Sequence, residues 1–238
     1  MPESIMKIFD GLYSTYGPQD WWPAESQFEV IVGSVLTQNT AWHNVAIAID
    51  NLKMKGLMEL ERLLKADPEY VRSLIKPVGF FNVKYKRLMN LLGYLSKHSD
   101  NLERFQHLPI TDLRDELLAI DGIGHETADS ILLYAFDRPI FVVDAYTRRL
   151  FSRLGYDWME KARYEDIQEF LMGQIPYDHK LYNEFHALIV VHCKEICRKK
   201  PLCSKCFLLC SSHDLEGQMQ KLSIHACRVA RPCDPTNV

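Results

Sequence analysis

Four cysteines, Cys197, Cys203, Cys206 and Cys210, are separated by five, two and three residues. Thiolates in such a run ligate metal, and four of them can hold Zn²⁺ tetrahedrally or carry a [4Fe–4S] cluster; spacing alone leaves both open. Arg198, Lys199, Lys200 and Lys205 put positive charge on the same stretch. A second feature is Gly122-Ile123-Gly124, between two Leu-rich runs. A glycine turn feeding a helix start directs free N–H groups outward and suits a phosphate, without reading base sequence. The same turn also serves as a plain corner with a glycine C-cap. Third, the apolar run Ile140-Phe141-Val142-Val143 ends in a lone acid, Asp144, with Arg148 and Arg149 close behind.

These residues need helices to position them. Apolar spacing at Ile5, Ile8, Leu12 and Tyr16 predicts a helix over 4–16, stopped by Gly17-Pro18. The loop Asp20-Trp21-Trp22-Pro23-Ala24 carries two adjacent tryptophans, which suit a plug at a seam between helical lobes. Residues 26 to 53 read as a helix pair broken at Thr37 to Trp42, with Asn39 or Thr40 capping the second helix. Gln38 there is either a surface residue or a wedge entering DNA where a base has left. Trp42 is either core or a ring facing that base. Asp67-Pro68 starts a helix, Lys76 to Asn82 breaks it around Gly79, and Lys84, Lys86 and Arg87 open the next. Basic residues among aromatics fit an edge that meets a nucleic-acid backbone, or a solvated face. Thr111 is expected to cap the helix leading into the hairpin, and Thr127 and Ala128 to open the one after it. Two further helices are expected over 162–175 and 179–197, the second delivering Cys193 and Cys197. The 140–143 run has strand propensity, but no second strand offers a partner, so the chain reads as all-α. The polar stretch 211–238 reads as a mobile tail.

With 238 residues and 47% hydrophobic content, the chain is long enough for one large or two small packed cores. A net charge of −3 runs against nucleic-acid binding unless the positive charge is clustered. Five of the seven cysteines fall between 193 and 210, which is no disulfide framework. No signal-peptide pattern or membrane-length apolar run is evident. The expected setting is a reducing intracellular one, cytoplasm or nucleoid, with no membrane contact.

The stretch LLAIDGIGHETADSILLYAF followed by VVDAYTRR resembles the helix-hairpin-helix and Gly/Pro…Asp signature of the endonuclease III superfamily of DNA glycosylases. Gly122 and Gly124 match the hairpin glycines, Pro139 and Asp144 the Pro-to-Asp segment. The resemblance implies that Asp144 is the catalytic aspartate. It also implies DNA contacts from Gln38, Gly79, Lys84, Gly122, Gly124, Thr127 and Arg149. Lyase-active members carry a lysine two residues after the second hairpin glycine; here Glu126 stands there, which implies a monofunctional enzyme. Asp20 to Pro23, Leu36 to Thr40, Gly79 to Asn82 and the hairpin with Glu126 are similar to type III 3-methyladenine DNA glycosylases. This implies a base pocket of Trp21, Trp22, Trp42 and Glu126. Family members carry four C-terminal cysteines spaced six, two and five, which favours [4Fe–4S] over zinc, although this chain departs in the first and third gaps and Cys193 is a candidate substitute ligand.

The implied architecture is two helical lobes with the active site between them. One is a six-helix barrel over 26–133 with its hairpin at 117–128. The other is discontinuous, 1–25 with 134–210, and holds the cysteines at 197–210. The expected activity is hydrolysis of the N-glycosidic bond of a flipped-out damaged base, an alkylated purine such as 3-methyladenine, in double-stranded DNA, by a monomer. Two alternatives are a bifunctional glycosylase and abasic-site lyase on oxidised pyrimidines, and a non-catalytic module that binds damaged DNA.

Overall fold

The computed structural model describes residues 3–98 and 102–208; Cys210 and the stretch 211–238 lie outside the described residues. Among the described residues every regular element is helical, and none is long and apolar enough to cross a membrane. The chain divides into two compact units, Trp22–Ile140 and the pair of segments ending at Trp21 and beginning at Phe141. The division was expected after residues 25 and 133. Packing moves it outward: Trp22 lies on Gly33, and Arg138 donates to the carbonyls of Phe105, Gln106 and Leu108.

In the Trp22–Ile140 unit, α2 (Gln27–Leu36) is the central helix, with every residue from Phe28 to Leu36 buried. A helix apolar all round survives only inside other helices. It is started by Ser26, whose hydroxyl accepts from the Glu29 amide at 3.1 Å. The unit also holds α3 (Trp42–Met54), α4 (Leu60–Lys65), α5 (Pro68–Ile75), α6 (Phe81–His98), α7 (Glu103–His107), α8 (Ile110–Leu118) and α9 (His125–Ser130), of which α3, α6 and α9 pack on α2. Asp67 caps α5 with Pro68 in its first turn, as the sequence suggests. Thr111 does not cap α8: the helix already begins at Ile110, with Pro109 before it. Nor does Asn39 or Thr40 cap α3, which starts from Ala41; the Thr40 hydroxyl is turned to the Val78 carbonyl instead. Helix α9 begins at His125, two residues before the expected start, and runs into a buried π turn, Ile131–Ala135.

The other unit holds α1 (Ile5–Tyr16), α10 (Ala145–Arg153), α11 (Tyr164–Met172) and α12 (His179–Glu195). Its core is aromatic: Phe185 meets Phe9 at 5.3 Å and Phe141 at 5.8 Å between ring centres, both edge to face. The run 140–143 is buried but needs no partner strand. Gln168 donates to the Phe141 carbonyl at 2.5 Å, and the Val143 amide donates to the Tyr164 hydroxyl at 3.2 Å. Side chains here satisfy backbone groups that a sheet would otherwise have paired.

Candidate functional site

The hairpin is held by specific ties within its own unit. Gly122 has φ of 93°, and a Cβ added there would sit 2.2 Å from Cγ of Arg87, so only glycine fits. Nothing lies within 4 Å of the equivalent point on Gly124, which leaves the backbone open to an approaching ligand. Asp129 is fully buried and receives both guanidinium branches of Arg114 at 2.7 and 3.1 Å, which locks α8 to α9 across the turn. Thr127 is buried, and Gln38 donates to its hydroxyl at 2.9 Å and to the Gly122 carbonyl at 3.1 Å. Arg87 in turn donates to Gln38 Oε1 at 2.6 Å. The structure thus places Gln38 against the hairpin. Glu126 is exposed in the first turn of α9.

Lys84 was expected at a phosphate, and the structure corrects this. It is 2% exposed, and its ammonium donates to the carbonyls of Leu36 at 2.8 Å and Val78 at 3.0 Å, and to the Thr40 hydroxyl. Burial, then the charge of Arg87, brings its pKa down to about 8. Gly79 has φ of 65° and Phe80, at φ of 45°, is 80% exposed. The sequence assigns Phe80 no role; two phenylalanines after a glycine are the available signal.

Trp22 and Trp42 come together in the Trp22–Ile140 unit, their rings 5.1 Å apart and perpendicular. Tyr134 adds a third ring, 5.3 Å from Trp22 and tilted by 53°. Trp22 is seated on α2 because Gly33 has no side chain: a Cβ there would meet the indole at 3.1 Å. Tyr134 was missed, since in a regular helical reading it is one more residue of an apolar run. The π turn sets its direction, and Gln27 meets the Ala135 carbonyl at the end of that turn at 2.5 Å. Trp21 is half-buried and belongs to the other unit.

Asp144 is the N-cap of α10, with Oδ1 accepting from the Thr147 amide at 2.7 Å and its hydroxyl at 3.0 Å. His186 Nε2 stands 3.5 Å from Oδ2. Burial works to raise this carboxyl's pKa. His186 and the two Thr147 donors outweigh it, and the net shift is downward, so the group is an anion at neutral pH. Sequence reasoning missed His186, which lies on α12, distant along the chain.

Cys193, Cys197 and Cys206 are buried and Cys203 is half-buried. Arg149 was expected at DNA; instead its guanidinium donates to the carbonyls of Cys197 at 2.8 Å and Cys193 at 3.2 Å. Arg153 donates to Cys197 Sγ at 3.3 Å and to the carbonyls of Arg198 and Lys199. A hydrogen bond from Cys193, then these arginines, bring the Cys197 thiol down to about 6 against burial. Sharing that bond, together with burial, pushes Cys193 up. Cys206 Sγ lies 3.6 Å from Nε2 of His192, whose Nδ1 is 3.0 Å from the Tyr16 hydroxyl. Burial lowers His192 to about 4, so its ring is neutral. Among the described residues, no three His, Cys, Asp or Glu side chains are gathered into a metal site. The donor chemistry nevertheless suits a soft metal centre: three cysteines on one loop, one of them held low by Cys193 and the two arginines. Arg198, Lys199, Lys200 and Lys205 are exposed on that loop.

Comparisons with known proteins identify the family. Residues 32–176 match the family model described as HhH-GPD superfamily base excision DNA repair protein. A Methanocaldococcus jannaschii protein named as a DNA repair glycosylase is 52% identical over 86% of this chain and 93% of its own. Endonuclease III of Sulfolobus acidocaldarius is 31% identical over 76% and 79% respectively. Among solved structures, H. pylori 3-methyladenine DNA glycosylase bound to 1,N6-ethenoadenine superposes with a TM-score of 0.70 at 30% identity. That match covers 81% of this chain and 98% of the other.

Proposed function

Because the chain belongs to the HhH-GPD superfamily of base excision DNA repair proteins, we propose that it hydrolyses the N-glycosidic bond of an alkylated purine such as 3-methyladenine, as a monomer on double-stranded DNA, without cutting the strand. The observation that carries this reading is the aromatic set Trp22, Trp42 and Tyr134. Electron-rich rings attract a cationic base by about 0.5–2 kcal/mol. Such a base is also a good leaving group, so it needs no strong general acid. The target must first leave the stack, at a cost of a few kcal/mol. Glu126, in the same unit as these rings, belongs to the base pocket in this reading.

Breaking the bond leaves positive charge on the sugar. Asp144, held anionic by Thr147 and His186, stabilises that charge or orients water. Glu126 stands where a lyase presents an amine and cannot form a Schiff base. Lys84 has a lowered pKa, but its ammonium is taken up by protein acceptors. The N–H groups of the hairpin at Gly124 grip a phosphate, Phe80 occupies the gap left by the flipped base, and Gln38 braces the hairpin through Gly122 and Thr127.

We further assign a [4Fe–4S] cluster to Cys197, Cys203, Cys206 and Cys210, with Cys193 as the alternative to Cys210. When bound it would shape the loop that presents Arg198, Lys199, Lys200 and Lys205 to phosphates. A cysteine run at metal-ligand spacing fits work in the reducing interior of the cell.

The test is incubation with duplexes bearing 3-methyladenine, thymine glycol or an abasic site, with and without alkali. Release of the alkylated purine, with strand breaks only after alkali, is the expected result. Breaks without alkali, or trapping by borohydride, overturn it.

A further inference from the structure

Lys84 joins two turns of the same unit. Its ammonium reaches the Leu36 carbonyl and the Thr40 hydroxyl on one side, and the Val78 carbonyl on the other. Thr40 reinforces the joint, donating to Val78 at 2.8 Å. One turn carries Gln38 and Asn39, the other Gly79 and Phe80. Asn39 at φ of 50° and Phe80 at 45° are both in the left-handed region, as is Gly79. Side-chain-bearing residues hold such conformations only where their surroundings over-determine them, and such strain gathers at ligand clamps.

All three acceptors are neutral, so the ammonium is costly to desolvate. Leu36 ends α2 and Val78 ends a 3-10 turn, however, and their carbonyls lose a buried donor without it. The charge therefore serves to join the two turns. We propose that Lys84 is a positioning residue, which locks the Gln38 and Phe80 turns into the shape that a duplex with an extruded nucleotide requires. This rests on the reading of the protein as a glycosylase, and it assigns the lysine no contact with DNA.

The test uses the full chain, its Lys84→Met variant and a Thr40→Val variant, which removes the bridging hydroxyl. Each is titrated with a duplex carrying a tetrahydrofuran abasic analogue opposite 2-aminopurine, and with an undamaged duplex. Lys84→Met should melt below the parent temperature, and in the folded variant the preference for the damaged duplex should fall about 10- to 100-fold. The 2-aminopurine emission change, which reports side chains entering the stack, should be lost with it. Thr40→Val should move both readouts in the same direction. Parent-like preference and emission in a folded Lys84→Met protein overturn the proposal. If Lys84→Met does not fold, Thr40→Val decides alone: reduced preference supports the proposal, and parent-like behaviour overturns it. A parent protein with no preference for the damaged duplex removes the glycosylase reading, and this inference with it.

Discussion

His186 Nε2 lies 3.5 Å from Oδ2 of Asp144, while Thr147 occupies Oδ1 through its amide and hydroxyl. Both carboxylate oxygens are therefore engaged from within the same unit. A buried carboxyl would otherwise be pushed towards its neutral form.

Asp144→Asn keeps the shape and removes the charge. Excision should fall by about 10²–10³-fold under single-turnover conditions. Unchanged circular dichroism would separate this from unfolding. Parent-like excision would remove Asp144 from its role.

The pH profile follows from the direction of the shift. Asp144 is held below the ordinary aspartate value of 3.8, so its anion persists as pH falls through that value. A depressed carboxyl contributes stability above its unfolded pKa and loses it only below the folded one. In His186→Ala the burial effect is less opposed and the pKa rises. The acid limb of excision should then move to higher pH, measured as single-turnover rate against pH. An unmoved limb would show that His186 does not support the anion.

Gly33→Ala brings a methyl to 3.1 Å from the Trp22 indole, on a helix that is buried throughout. Overpacking of this kind costs about 1–3 kcal/mol, readable by urea unfolding. The displaced ring should also weaken binding of a cationic base. Trp42→Ala offers the complementary measurement, with affinity for the alkylated duplex lowered by the roughly 0.5–2 kcal/mol of one cation–π partner.

Glu126→Lys installs an amine two residues after Gly124. Strand breaks without alkali, and a borohydride-trapped adduct, should appear in this variant and not in the parent.

Cys197→Ser removes one thiolate from the cysteine loop. The purified parent should be brown, with absorbance at about 400 nm, and the variant pale. A colourless parent containing zinc would replace the iron–sulfur assignment.

Much of the fold could be read from the chain because the helices announce themselves by apolar period, and Gly122 announces a turn that admits no side chain. Asp144 stood out as an acid ending an apolar run. What the chain hid was partnership over distance. Asp144 with His186, and Arg114 with Asp129, join residues that no local pattern couples. Lys84 misled because a cation beside aromatics reads as a phosphate contact, whereas folding turned its charge onto carbonyls. Tyr134 was concealed differently: a π turn leaves no periodic trace in five apolar residues.

That π turn has an evolutionary consequence. One residue gained within an α-helix produces such a widening, and one residue lost abolishes it. A single-codon change between Ile131 and Ala135 would swing Tyr134 to another heading. The Arg114–Asp129 clasp upstream and the Arg138 contacts downstream are independent of that heading. The aromatic cluster can therefore drift in length-changing steps while the hairpin stays under separate constraint.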